Sequence, residues 1–253
     1  DLLLIAGDLF HRQPLKKELK ELNYLFSRLT RTKVVFIAGN HDFIKHDSYY
    51  LTFRWNENVY PLLNGHMGSV EFKELKTSVY GLSYYQREIT ERIYDRAKAP
   101  GRQKYEILLA HGGDEKHIPI KKEILSNLGY SYIAMGHIHK PQTLVENQIA
   151  YAGALEPIDK NDTGKHGYVL GEVTEKGVKA EFIPSAKREY QHLVIEVGKG
   201  MTNGAVKEKI RETIQENGIE HIYKFILRGF RDTDISFEPE SLQSYGNPEV
   251  HNP

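Results

Sequence analysis

The chain has 253 residues, with 34 basic and 34 acidic side chains and a formal net charge of zero. That length can bury a real core and suits one large domain or one domain with a smaller companion. The charge balance excludes a global basic field for nucleic acid, the lack of cysteine excludes disulfides and thiolate metal sites, and no apolar run approaches the roughly 20 residues of a membrane helix.

No signal peptide is visible, so a reducing, cytoplasmic setting without membrane attachment is expected. The chain opens on Asp1-Leu2-Leu3-Leu4-Ile5, already inside a strand pattern over residues 2–6, which reads as a fragment. Pro14 then opens a helix, where its missing N–H costs nothing. Leu15, Leu19, Leu22, Leu25, Phe26 and Leu29 recur at helical spacing and mark its buried face. Residues 34–38 form the next strand. Strand, helix, strand in so short a span is a βαβ unit with parallel strands.

Residues 45–101 are less regular, with short strands expected at 69–72 and 77–82 and a helix at 88–98. Strands at 107–110 and 132–135 flank a short helix that begins near Pro119, and residues 149–152 continue the sheet. Residues 168–174 and 178–183 flank Glu175-Lys176-Gly177, a hairpin with glycine at the turn. A boundary is expected at 184–187. Beyond it come a strand at 192–197, a helix at 205–216 and a strand at 222–227, followed by a polar, loosely held tail from 237.

Four polar clusters each sit where a short apolar run ends. They are Gly7-Asp8 after LLLIA, Gly39-Asn40-His41-Asp42 after VVFIA, His111-Gly112-Gly113 after ILLA and Gly136-His137-Ile138-His139 after YIAM. Such runs read as strands buried on both faces, and α/β sheets gather chemistry at the carboxyl ends of their strands. The four clusters are therefore expected at one edge of one sheet. Asp8 is a carboxylate able to bridge two cations, Asn40 offers a neutral oxygen, and His111, His137 and His139 offer imidazole nitrogens. Strand alternation would put His137 and His139 on the same side, each serving one of two adjacent metals. Sulfur-free N/O ligation suits manganese, iron or zinc. Two such ions clamp the attacking and leaving oxygens of a phosphoryl displacement and activate water. His41 is the candidate to stabilise the developing charge and protonate the leaving oxygen, with Asp42 holding its ring. A helix-capping role for Asp42 competes, and the bland alternative for the whole set is turn-capping polar residues. His11 could orient a ligand or touch DNA, or be a surface histidine. His46, His66, His117 and His166, with Asp114, Glu115 and Lys116, are expected at the surface or in loops. Tyr84 and Tyr85 are expected to pack rather than to stack on bases. Lys160, Lys165, His166, Lys187 and Arg188 form a locally basic stretch that could meet phosphates or simply face solvent.

GDLFH at residues 7–11, GNHD at 39–42, AHGG at 110–113 and GHIH at 136–139, in this order, resemble the calcineurin-like metallophosphoesterase superfamily. Within it, GDLF followed by a helix, LLAHGGDEKH and YIAMGHIHKPQ resemble the SbcD/YhaO-type DNA-repair exonucleases. The resemblance implies an α/β fold: a metallophosphoesterase βαβ sheet or sandwich core over residues 1–186, a smaller α/β DNA-capping domain over 187–236, and a tail over 237–253. It implies a two-metal DNA exonuclease or phosphodiesterase, with two divalent ions, manganese first and iron, zinc or magnesium as alternatives. DNA, an SMC-like ATPase subunit and a second copy of the chain are the implied partners. Asp8 is implied to bridge both metals, Asn40, His111 and His137 to complete one shell, His139 to bind the other ion, and His41 with Asp42 to act catalytically. The family's first motif, Asp-x-His, is absent, and its two residues would share the metal of His139. The chain is thus expected to hold at most one metal well and to cleave poorly. A metallophosphatase acting on small nucleotides or phosphoproteins, and a non-catalytic scaffold for DNA or an ATPase, are the rival expectations.

Overall fold

A computed structural model describes residues 1–237 and Leu242. Apart from those two positions, the tail expected over 237–253 lies outside the described residues. Two compact units are present: residues Asp1–Ala154 with Gly167–Pro184, and Leu155–His166 with the segment from Ser185 onward. The segment 155–166 thus groups with the second unit, although it precedes the boundary expected at 184–187.

The first unit is built on two larger sheets and a two-stranded hairpin. β1 (Leu2–Ala6), β2 (Lys33–Ile37) and β3 (Val59–Pro61) pair in parallel in that order. β4 (Gly68–Phe72), β5 (Thr77–Gly81), β6 (Tyr105–His111), β7 (Tyr132–Gly136), β8 (Gln142–Val145) and β9 (Ile149–Tyr151) form a six-stranded mixed sheet in the order β4-β5-β6-β7-β9-β8. The strands that carry the four clusters are therefore split between two sheets, not gathered in one. The apolar runs could not reveal this, because a strand in either layer of a covered sandwich is buried on both faces.

Strand alternation assigns the faces. Val35 and Ile37 of β2 meet Phe72, Val79, Ile107 and Leu109 of the larger sheet in the central core. Val34, Phe36 and Ala38 point the other way, beneath Leu19 and Phe26 of helix α1 (Lys16–Ser27) and beside Tyr50 of the short helix α2 (Tyr49–Thr52). Leu108 and Ala110 of β6 face an outer core with Tyr84, Tyr94, Ile118 and Leu125, the last from α3 (Lys122–Leu125). The βαβ reading of β1, α1 and β2 holds, and Glu18 accepts the Leu15 N–H at 2.8 Å to close the helix start. Only part of the leucine stripe is core: Leu19 and Phe26 are buried, whereas Leu15, Leu25 and Leu29 are exposed.

The helix expected over 88–98 is reduced to a turn at Ile93–Arg96. Ile89 is drawn into a parallel bridge with His117, exchanging backbone bonds with Lys116 and Ile118, and this extended pairing outweighs local helix propensity. The hairpin is formed by β10 (Gly167–Thr174) and β11 (Gly177–Pro184), with Gly177 at φ 118° in the turn. In the second unit β12 (Tyr190–Val197) and β13 (Ile222–Gly229) pair in parallel, with α4 (Asn203–Asn217) as the crossover. Thr202 caps α4 by accepting the Ala205 N–H, and Val206 and Ile210 pack on Ile195 and Val197. His166, expected at the surface or in a loop, lies in the loop before β10 and is buried.

Candidate metal centre

The cluster-bearing ends of β1 and β2 in one layer and of β6 and β7 in the other meet at the same edge of the sandwich. Gly7 and Asp8 leave β1 at φ 87° and 50°, turning the Asp8 carboxylate back over the strand ends. The approach is so close that a Cβ at Gly39 would collide with the Asp8 carboxylate and the His111 ring.

His111, fully buried, donates from Nδ1 to the Ala6 carbonyl at 2.7 Å. A carbonyl can only accept, so this bond fixes the tautomer and leaves the Nε2 lone pair free. That nitrogen lies 2.9 Å from Asn40 Oδ1 and 3.3 Å from Asp8 Oδ2. His137 Nε2 donates to Asp114 Oδ2 at 2.7 Å, which leaves Nδ1 as the lone pair, 3.0 Å from Asn40 Oδ1. Ligand atoms of Asp8, His111 and His137 lie within 4.8 Å of one another. Four electron-pair donors thus converge from four strand ends, met by the Asn40 N–H, 3.5 Å from His111 Nε2, and by the His41 N–H at Asp8 Oδ1. Lone pairs crowded together in a largely buried site repel unless a cation lies among them, and mixed N/O donors fit a divalent ion of the manganese, iron or zinc type.

The electrostatics suit a cation. Burial opposes ionisation of Asp8, but His111 and the His41 N–H, 2.9 Å from Oδ1, outweigh it and hold the carboxyl below its usual pKa. Burial lowers the His137 pKa, against the pull of Asp114. Burial also lowers the pKa of His41; Asp8 opposes this, while His11 and Arg87 add to it. The His41 ring sits at the rim, stacked on His11 with centroids 4.1 Å apart and planes 24° apart.

Two expectations need correction. Asp42 does not hold the His41 ring. It is fully buried and accepts from Gly39 N at 2.7 Å, Phe10 N at 3.3 Å and the Tyr50 hydroxyl at 2.7 Å, and burial pushes its pKa up to about 6. It clamps the loop that carries Asn40 and His41, and it caps no helix among the described residues. Strand alternation also cannot pair His137 with His139, because β7 ends at Gly136 and His137 has φ 95°. His139 is not among the Asp8, His111 and His137 ligand group; its carbonyl accepts the Ala154 N–H at 2.8 Å.

The residues that sequence reasoning missed lie behind the donors. Tyr84 and Tyr94 both donate to the His111 carbonyl, at 3.1 and 3.3 Å, Tyr94 oxygen accepts the His111 N–H at 3.0 Å, and Tyr151 donates to the Gly112 carbonyl at 2.8 Å. Tyr84 is fully buried, so it packs as expected and is closed to bases, while Tyr85 is exposed. Asp114, expected to be a surface residue, holds both His117 and His137. Its three-residue spacing from His117, which closes an Asx-type turn, was the available signal.

A family model described as calcineurin-like phosphoesterase matches residues 1–141, more than half of the chain. The chain belongs to that family. The family hydrolyses phosphoesters with divalent metals, and the donor set fits that requirement. The chain is 28% identical over 248 residues to the uncharacterized metallophosphoesterase YhaO of Bacillus subtilis, covering 90% of this chain and 60% of that protein. It is 27% identical over 179 residues to the DNA double-strand break repair protein Mre11 of Methanocaldococcus jannaschii, covering 64% of this chain and 47% of that protein. The chain therefore spans roughly half to three fifths of the length of these relatives. No helix among the described residues is long and apolar enough to cross a membrane.

Proposed function

We propose that this protein is a manganese-favouring phosphodiesterase that cuts DNA, of the SbcD/YhaO repair type. The observation that carries the reading is the convergence of Asp8, Asn40, His111 and His137 lone pairs with the His41 ring at their rim. The similarity to a protein named for DNA double-strand break repair supports DNA as the substrate class.

Asp8, Asn40, His111 and His137 would hold one divalent ion, and Asp8 with His139 would contribute to a second. When bound, the ions polarise the phosphoryl group and acidify water enough for attack near neutral pH. His41 would approach the phosphate from the rim. Burial lowers the pKa of its ring, and the anionic phosphate would oppose that effect. The ring would thus gain its proton with substrate and donate it to the leaving oxygen. Asp42 and Tyr50 would keep the loop of Asn40 and His41 in place. Exposed Lys160, Lys165, Lys187 and Arg188 of the second unit are the side chains we assign to DNA phosphates. The exposed Leu15, Tyr24, Leu25 and Leu29 on and beside α1 support a second copy as partner, and an SMC-like ATPase is proposed as the other.

The test is cleavage of linear duplex DNA by the full-length protein with manganese against magnesium, alongside His41→Ala and a small phosphodiester competitor. Manganese-dependent cleavage, reduced about 100- to 10,000-fold by His41→Ala with manganese affinity intact, is expected. Hydrolysis of the small ester but not of DNA would replace this reading with a small-molecule phosphoesterase. Unchanged cleavage by His41→Ala would remove His41 from the mechanism.

A further inference from the structure

We infer that Asp114 is a positioning residue for His137: it selects the imidazole tautomer that presents Nδ1 to the cation. The inference rests on His137 being a metal ligand, as proposed above, but not on DNA being the substrate.

His137 lies past the end of β7, at φ 95°, so no strand ladder orients it. Its ring is held from three sides. His111 meets it edge-on, with centroids 5.2 Å apart, and His117 leans against it at 4.4 Å. Asp114 Oδ2 accepts from Nε2 at 2.7 Å. Each ring nitrogen faces an oxygen, Asp114 Oδ2 at Nε2 and Asn40 Oδ1 at Nδ1, and the charged carboxylate, at the shorter distance, has the stronger claim on the single N–H. A neutral imidazole carries one N–H, and a carboxylate that claims it at Nε2 leaves Nδ1 bare, 3.0 Å from Asn40 Oδ1. The opposite tautomer would put a proton among the donors and exclude a cation.

Asp114 is itself fixed, although its side chain is 46% exposed. Oδ1 accepts from Lys116 N at 2.8 Å and His117 N at 3.0 Å, and His117 Nδ1 lies 2.9 Å from both oxygens. The Gly113 N–H closes the turn onto the His117 carbonyl at 2.8 Å. Gly112 and Gly113, at φ 139° and 131°, let the chain reverse directly after His111, so one short loop carries both a donor and the group that orients a second donor. These same bonds argue against Asp114, His117 and His137 Nε2 forming a separate cation site. The carboxylate oxygens are already filled by N–H groups, and freeing them would open the turn.

The experiment uses the full chain: wild type, Asp114→Ala, Asp114→Asn and, as a neighbouring control, Lys116→Ala. Manganese binding is followed by titration calorimetry. The His137 tautomer is read in the metal-free protein by long-range nitrogen–proton NMR, and thermal unfolding without metal checks the fold. The wild-type ring should carry its proton on Nε2. Both Asp114 variants should lose that preference and weaken manganese binding about 10- to 100-fold, with Lys116→Ala unchanged. Asp114 variants that fold and bind within about twofold of wild type would overturn the inference, since orienting partners of metal ligands normally cost more. Should both variants fail to fold, the wild type still decides, because a proton found on Nδ1 overturns it. A wild type that binds manganese but leaves DNA intact overturns the nuclease reading alone.

Discussion

The Tyr50 hydroxyl donates to Asp42 Oδ2 at 2.7 Å, joining helix α2 to a carboxylate that shares no face with solvent. This pair sets the loop that ends in Asn40 and His41, because Oδ1 of the same carboxylate takes the Gly39 N–H. Tyr50→Phe keeps the ring among Phe10, Phe36 and Trp55 and removes only the bond. The loss should destabilise the fold by about 2 kcal/mol, as for a hydrogen bond to a buried charged group. In a chain of this size that lowers the melting temperature by roughly 4–8 °C. A thermal melt of the variant checks it, and an unchanged midpoint would show that Asp42 needs no clamp.

Divalent metal should stabilise the protein through the four converging donors. Ligand that binds only the folded state at about 100 times its dissociation constant adds about 2.7 kcal/mol, a rise of roughly 5–10 °C in melting temperature. Manganese should produce such a rise in the wild type, and a chelator should reverse it. His111→Ala removes a donor and should abolish the response. A metal-induced shift that persists in His111→Ala would place the cation elsewhere.

Glu106 offers a pH test away from the site. Its carboxylate is buried and accepts from Gly101 N, Arg102 N and Gln103 N at 2.8, 2.6 and 3.3 Å, and from the Tyr80 hydroxyl at 2.9 Å. Burial opposes its charge, but the Gly101 N–H, the Tyr80 hydroxyl and the other two N–H groups prevail and hold the pKa below the ordinary 4.5. A depressed folded-state pKa means that the carboxylate stabilises the fold at pH values above the unfolded pKa and loses that contribution as pH falls through the folded value. Glu106→Gln should therefore cost about 2 kcal/mol near neutral pH. The gap between wild type and variant should close on acidification below the ordinary glutamate pKa. Denaturant unfolding across that range checks it, and a gap that is independent of pH would contradict the assignment.

The donors themselves were legible in the sequence because each follows a short continuous apolar run of the kind a buried strand carries, and Asp8, Asn40, His111 and His137 meet at strand ends. What could not be read was which layer each strand joins, since Val35 and Leu109 look alike whether their strands are neighbours in one sheet or face each other across a core. The supports were equally silent. Tyr50, Tyr94 and Tyr151 act through hydroxyls at the ends of long side chains, and nothing in an aromatic residue's spacing shows where that oxygen lands. The fate of the leucine stripe on α1 followed the same logic: helical spacing marks an apolar face, but only the arrangement of neighbours decides that Leu19 is covered and Leu25 is not.

The division of the donors between two sheets has a mechanical consequence. Asp8 and Asn40 ride on the three-stranded layer and His111 and His137 on the six-stranded one; side-chain packing of the Val35, Ile37, Val79 and Leu109 kind, with cross-layer bonds such as His111 Nδ1 to the Ala6 carbonyl, keeps the layers in register. A bound cation would act as a suture across that seam, and sliding of one layer over the other would be felt at once as a change in bite angle. Trimming the interlayer packing, far from any ligand, should thus loosen the grip on the ion, and the ion in turn should stiffen the seam.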